Sequence, residues 1–389
     1  MTTLYVARSG ILATVQDAGR WGYAQWGVMV NGAMDDYARR WANWLLGNAD
    51  NAAVIEVTAV GTEFLVRDGG LLALAGADLG ATVDEEPWQP GNVRVVKEGQ
   101  RIRFSRRRHG LRAYLAMPGG IDVPRVLASA ATDLTAQIGG MGGRRLEPGD
   151  TLRSADSEGL QRATKWPTMR RSHILRVLPG VRIDRFPPGA FAQLLTRVFW
   201  VGPQSNSVGL RLSGESIASP RGDWPSEGMA IGSVECPPGG QLLLLLKGRG
   251  SLGGYPALAH VIRADWPAMG QLAPGDWVAF DAVTVDEAYQ AWQAQEMSIG
   301  IEENIAVMPL AAPLAGIVDV HDEYGRRLPE SGDWVYAGQL LLRLYALGSY
   351  VEIRAPHDGE IRILVEPGML VEGNTPLVEL KGGFDGKAN

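Results

Sequence analysis

Fifty glycines and twenty-three prolines punctuate this 389-residue chain, set singly between short apolar runs rather than gathered in one tract. Together they well exceed the roughly 12% of average usage, and such spacing interrupts a helix before it can propagate. Many short strands joined by tight turns remain as the consistent reading. Three turns show the logic directly. Pro148-Gly149-Asp150 leads into Thr151-Leu152, Pro274-Gly275-Asp276 into Trp277-Val278-Ala279-Phe280, and Ser331-Gly332-Asp333 into Trp334-Val335. Proline presets such a turn, glycine accepts positive φ, and a strand follows. The chain reads as mainly β, in three blocks.

A single core stops growing near roughly 250–300 residues, so two or three domains are expected. Apolar residues at 46% and charged residues at 21% argue against disorder. The longest leucine run, Leu242 to Leu246, falls far short of the roughly 20 apolar residues that cross a bilayer. The start Met1-Thr2-Thr3-Leu4-Tyr5-Val6 carries no basic or apolar leader. A cytoplasmic location with no membrane partner is expected. One cysteine, Cys236, leaves no intrachain disulfide or thiolate cage, and five scattered histidines offer no ligand spacing, so no metal is expected. A net charge of −6 argues against nucleic acid as a partner. The basic cluster Arg106-Arg107-Arg108-His109 reads as a solvated turn.

Two helices stand out. From Ala33 to Leu46, Met34, Tyr37, Ala38, Trp41 and Leu45 recur at helical spacing, with Asp35 and Asp36 in the first turn and Gly47-Asn48 as the stop. From Val285 to Met297 a second helix opens on the capping box Thr284-x-x-Glu287. Residues 298–308 then read as a linker.

Thr14-Val15-Gln16-Asp17-Ala18-Gly19-Arg20, Gly32-Ala33-Met34-Asp35, Glu56-x-Thr58, Gly76-Ala77-Asp78, Arg112-Ala113-Tyr114-Leu115, Pro118-Gly119-Gly120, Gly139-Gly140-x-Gly142-Gly143-Arg144, Ser205-Asn206 and Gly253-Gly254-Tyr255-Pro256 follow one another in a recognisable order. The series resembles the family of allophanate-hydrolase subunit 2, the C-type subunit of bacterial 5-oxoprolinase, the carboxyltransferase part of urea carboxylase, and KipA. That resemblance covers about residues 3 to 290. It implies two tandem cyclophilin-like β-barrel domains, 1–165 and 166–298, with the polar run Arg162 to Ser172 as connector.

The third block, 309–383, resembles a biotinyl/lipoyl carrier domain, a small β-sandwich of the barrel-sandwich hybrid type. Ala312-Pro313-Leu314-Ala315-Gly316, Gly332-Asp333-x-Val335 and Ala355-Pro356-x-x-Gly359 carry the likeness. Laid without gaps, the carrier lysine falls on Gly348, which has no amine to acylate. No covalent biotin is therefore expected, and the domain reads as a structural module.

Neither a nucleophile elbow nor a phosphate loop is present. Candidate catalytic groups are Asp17, Arg20, Asp35, Asn43, Glu56 and Asp78, polar residues beside the first helix or among short apolar runs where burial could tune a carboxylate. Candidate substrate-binding groups are Tyr114, Gly119, Gly120, Gly140, Gly142, Asn206, Arg249 and Tyr255, as side-chain donors or as glycine-rich turns whose N–H groups can cradle an anion. Capping and ion pairing of the helix is the competing reading for Asp35. Against the family pattern, Ala130 replaces an arginine, Ser207 and Val208 replace Arg-Met, and Gly248 replaces an aspartate.

Three functions fit the resemblance. The first is a subunit of an ATP-dependent, 5-oxoprolinase-like complex cleaving a small amide or lactam, with ATP shared with an allophanate-hydrolase-subunit-1-like, B-type partner. The second is a carboxyltransferase moving CO2 from carboxybiotin on a separate carrier to a urea-like nitrogen. The third is a non-catalytic, KipA-like regulator that binds a kinase-inhibitor partner.

Overall fold

Each of the three recurrent turns closes in the same way. Gly149, Gly275 and Gly332 all take positive φ, between 91° and 105°. The aspartate that follows accepts a hydrogen bond from an N–H three residues back: Glu147 N to Asp150 at 2.8 Å, Ala273 N to Asp276 at 2.8 Å, Glu330 N to Asp333 at 2.9 Å. The carboxylate thus satisfies a donor that the turn itself cannot.

The computed structural model describes residues 1–156, 173–220, 222, 224–299, 308–312, 315–322, 326–335, 339–346, 349–355, 359–373 and 375–381. The connector Arg162 to Ser172, most of the linker before Met308, and Gly348 at the carrier-lysine position lie outside the described residues.

Residues Met1–Gln295 form one compact unit and Glu296–Asn389 a second. The first unit opens with two sheets. Six strands run in the order Thr151–Arg153, Thr3–Ser9, Thr62–Asp68, Arg101–Phe104, Ala81–Val83, Glu86–Pro87. Five run in the order Leu12–Gln16, Val54–Thr58, His109–Ala116, Gly70–Asp78, Asn92–Val96. Alternate residues of both, among them Leu4, Val15, Ile55, Phe64, Leu74 and Leu115, meet in one fully buried core. The strands Ile174–Pro179, Ala257–Val261, Ser233–Glu235, Leu242–Leu245, Gly209–Ser213, Phe199–Val201 and Trp277–Ala282 then close a seven-stranded barrel. Its interior holds Val177, Leu210, Val234, Leu244 and Phe280.

Helix α1 spans Asp36–Leu45, later than the Ala33 start that periodicity predicts. Asp35 takes the N-cap position and its Oδ1 accepts from Ala38 N at 2.8 Å, which fixes the start there. Gly47 stops it with φ of 68°. Two short helices follow in the barrel, α2 at Ala190–Thr196 and α3 at Trp266–Gly270. Helix α4 spans Val285–Met297, and its capping box forms: Thr284 N donates to Glu287 Oε2 at 2.8 Å and Glu287 N to Thr284 Oγ1 at 3.2 Å. Among the described residues no helix is long and apolar enough to cross a membrane.

The basic cluster is the exposed turn expected of it, and two of its arginines also form ion pairs. Arg107 makes a two-pronged ion pair with Asp276 of the barrel, at 2.7 and 3.0 Å, and Arg108 reaches Asp78 at 3.4 Å. The turn that feeds Trp277–Ala282 therefore also ties barrel to sheets.

In the second unit, two four-stranded antiparallel sheets enclose Val318, Leu342, Leu344, Ile361, Leu377 and Val378.

Candidate functional site

Three successive residues leave the first domain and reach the barrel. Met34 packs into the barrel core beside Leu175 and Met269. Asp35 Oδ2 accepts from Gln271 Nε2 at 2.7 Å. Asp36 stands 3.7 Å from Lys247 Nζ, at the end of the leucine run. The approach is close: a Cβ on Gly270 would lie 2.6 Å from the Met34 carbonyl oxygen. Only glycine fits there.

The first domain holds this segment from behind. Glu56 Oε2 accepts from Met34 N at 2.9 Å and from the Tyr114 hydroxyl at 2.8 Å, and that hydroxyl accepts from Asp35 N at 2.8 Å. Glu56 and Tyr114 sit opposite one another on paired strands, which fixes their spacing. Arg112, two residues from Tyr114, approaches Glu56 at 3.6 Å and donates to the Gly270 carbonyl. Gln271 completes the seam. Its Oε1 accepts from Leu111 N and Arg112 N at 2.8 and 2.9 Å, and its Nε2 donates to Arg112 O at 2.9 Å as well as to Asp35. Every hydrogen-bonding position of that amide is used.

The neighbouring aspartates are pushed in opposite directions. Burial raises Asp35 to about 7, against the opposing hydrogen bonds from Gln271 and Ala38. Burial also works against charge on Asp36, but Arg39 and Lys247 more than offset it and hold that carboxyl well below the usual range. Burial lowers the Lys247 ammonium, with Asp36 opposing. Asp36 is the member open to solvent, its side chain 36% exposed, whereas that of Lys247 is 5% exposed. An ionised carboxylate and a desolvated amine thus face one another at the rim, with a carboxyl that holds its proton near neutrality behind them. Carboxyls driven apart in this way are the usual division into acid and base roles.

Linkage makes Asp35 testable. A carboxyl whose folded pKa is raised contributes stability fully below its unfolded value and loses it as pH rises through the folded one. Unfolding free energy in urea is therefore expected to fall between about pH 4 and about 7, with a shallower fall in Asp35→Asn. Glu235, also raised to about 7 by burial, keeps part of the slope in the variant. Identical slopes in the two proteins would mean that Asp35 is ionised throughout.

The other candidates lie outside the seam. Asp17 accepts from Ser129 Oγ and Ala130 N, both at 2.6 Å, and from Gly19 N at 2.9 Å. The buried Arg20 donates to the Val126 and Ala131 carbonyls, so the pair pins the 126–131 loop. Ala130, where the family carries arginine, is 1% exposed. Asn43 ties the far end of α1 to Ala52 O and to Asn48, and Asn48 in turn accepts from Gly119 N. Gly120 N closes a turn onto Met117 O. Asp78 caps Gly80 N. Gly140 and Gly142 take positive φ in their loop. Asn206 closes a turn onto Val208 N, Arg249 Nε donates to Met229 O, and Tyr255 is exposed. Of the fourteen, the seam gathers Asp35, Glu56 and Tyr114.

Asp36, Arg39, Arg112, Lys247 and Gln271 are the groups that sequence reasoning did not assign to a site. Lys247 had a signal: a cation closing five leucines is placed where burial is expected. Gln271 had none. Two clefts lie away from the seam. One, of about 530 Å³ in the second unit, is lined by Arg326, Arg327 and Arg354, each paired to an acid. The other, of about 350 Å³, runs along Phe186, Pro187 and Phe191 beside α2.

The chain belongs to the family described as carboxyltransferase domain, subdomain A and B, matched over residues 26–282. Among relatives, it is 36% identical over 302 residues to the C-type subunit of 5-oxoprolinase from Escherichia coli (strain K12), covering 75% of this chain and 95% of that one. It is 28% identical over 337 residues to urea amidolyase of Lachancea kluyveri, covering 79% of this chain and 18% of that protein. The structure is similar to that of TTHA0988, with a TM-score of 0.66 and 32% identity over 72% of this chain and 55% of that one. It is similar also to Kluyveromyces lactis urea carboxylase, with a TM-score of 0.71 and 27% identity over 81% of this chain and 32% of that one. The chain spans just over half of the one solved protein and about a third of the other.

Proposed function

We propose that the chain is the C-type subunit of an ATP-dependent, 5-oxoprolinase-like complex that cleaves a lactam or amide together with an allophanate-hydrolase-subunit-1-like, B-type partner. The observation that carries this reading is the Lys247–Asp36 pair at the seam, in a chain that spans nearly all of the C-type subunit of a bacterial 5-oxoprolinase. In this reading the Lys247 ammonium meets the substrate carbonyl oxygen and stabilises the charge that develops there. Asp36 accepts the lactam N–H. Asp35 is a positioning residue: burial raises it to about 7, so it ionises less readily than Asp36, which carries the negative charge of the pair.

ATP finds no ready cradle in the glycine-rich loop. Arg144 there is held by both oxygens of Asp150, at 2.7 Å each, and the N–H groups of Gly140 and Gly143 donate to Ala130 O and Gly139 O. In this reading ATP is shared with the B-type partner.

ATP hydrolysis by the protein purified with its B-type partner tests the reading across 5-oxoproline, other lactams, urea and guanidine derivatives. ADP release that rises with a lactam is expected. ADP release unmoved by any lactam, in a complex of confirmed size, would overturn it. The likeness to urea carboxylase favours one other reading, carboxyl transfer from a separate biotin carrier. Turnover would then need urea and that carrier added with its biotin already carboxylated, the carboxyl passing from biotin to the urea nitrogen.

A further inference from the structure

The segment that carries Asp36 meets Lys247 at two points. Asp36 faces the ammonium, and a few residues earlier Asn31 N donates to the Lys247 backbone carbonyl at 3.2 Å. The four-carbon stem of the lysine separates the two contacts.

Asn31 is held there at a cost. Its φ of 52° lies in the left-handed region that few residues other than glycine adopt. The residue is 8% exposed, and its Nδ2 has no hydrogen-bond partner among the described residues. The other buried amides around helix α1 are engaged: Gln271 Nε2 donates to Asp35, and Asn43 Nδ2 to Ala52 O. The backbone on either side of Asn31 is pinned. Val30 O accepts from Arg20 N at 2.8 Å, and Gly32 packs so closely that a Cβ on it would lie 2.8 Å from Gly19 N. Strain and an unmade bond, kept in place by their surroundings, are marks of a ligand site.

We propose that Asn31 is a specificity residue: its Nδ2 donates to a carboxylate borne by the lactam ring, at the foot of Lys247, while the ammonium holds the lactam carbonyl. This assignment rests on the lactam reading of the site. The stem of Lys247 sets the two contacts apart, as a ring sets its carbonyl and its carboxylate apart. The terminal torsion of an asparagine is broad, so the amide turns its donor to a ligand without moving the backbone. Charge agrees with an anionic substituent. Arg39 and Arg263 act on the Lys247 ammonium against Asp36 and Glu56, so with the ammonium itself cations outnumber acids there.

Asn31→Gly, studied in the complex with the B-type partner, tests the proposal. Glycine adopts this backbone without strain, so circular dichroism and the melting curve should stay those of wild type. The probes are 5-oxoproline and 2-pyrrolidinone, the same ring without the carboxylate. Calorimetric titration is expected to show wild type preferring 5-oxoproline, and that preference falling about tenfold in Asn31→Gly. Asn31→Asp, which sets a negative charge against the carboxylate, should lower it at least as far. ADP release on the same preparations reads the chemistry separately: release unmoved by either lactam would sink the proposed reaction, and the binding comparison would still decide Asn31. An unchanged preference in Asn31→Gly would overturn the proposal, because asparagine would then serve only to tolerate the left-handed backbone. So would a wild type that binds the two rings equally, or neither.

Discussion

Gln271→Ala is expected to lower the melting temperature by about 5 °C. Truncation strands Leu111 N, Arg112 N, the Arg112 carbonyl and one oxygen of Asp35 inside the seam, all of which this amide now satisfies. Each buried group left unpaired costs about 1–3 kcal/mol, and water entering the space left behind recovers part of it. A net loss of about 3 kcal/mol corresponds to several degrees in a domain of this size. Gln271→Glu keeps the size and sharpens the test. Its carboxylate would replace a donor with a negative oxygen against Asp35, so its destabilisation should grow as pH rises and Asp35 loses its proton. Thermal scans at about pH 5 and about pH 8 report both effects. A shift below about 2 °C in Gln271→Ala would show that the hydrogen bonds of this amide add little to the stability of the seam.

Lys247→Met should separate chemistry from stability. Under the proposed reaction the ammonium is the group that stabilises the developing oxyanion, and loss of one such donor typically costs about 100- to 1,000-fold in kcat. The fold should not suffer in proportion. Burial already disfavours the charge on Lys247, and Asp36 keeps Arg39 at 2.7 Å as a counterion. Replacing a buried ion by an apolar side chain of similar volume is often neutral or stabilising. Steady-state ADP release and a melting curve on one preparation decide the matter: turnover within about threefold of wild type would remove Lys247 from the chemistry.

Much of this was legible in the sequence because it is local. Glycine at positive φ, aspartate closing the turn onto the third N–H back, and the capping box at Thr284 depend on residues within four of one another. Helices α1 and α4 follow from spacing of the same kind. The start of α1 was misplaced because Asp35 had two roles open to it, first-turn residue or cap. Asp35 caps the helix and, with Met34, is held from behind by Glu56 and Tyr114, which lie more than twenty and nearly eighty residues away.

Asp17, Arg20, Asn43 and Asp78 have the composition of an active site, yet each hydrogen-bonds to loop backbone outside the seam, for Asp17 and Arg20 more than a hundred residues along the chain. Gln271 looks unremarkable in the chain and matters through what it faces. Turn chemistry and alternation, short-range by nature, determined from the sequence alone that the chain would be mainly β. Which carboxyl keeps its proton was decided by the tertiary structure, because desolvation and the distance to Arg39, Lys247 and Gln271 exist only once the barrel closes against the sheets.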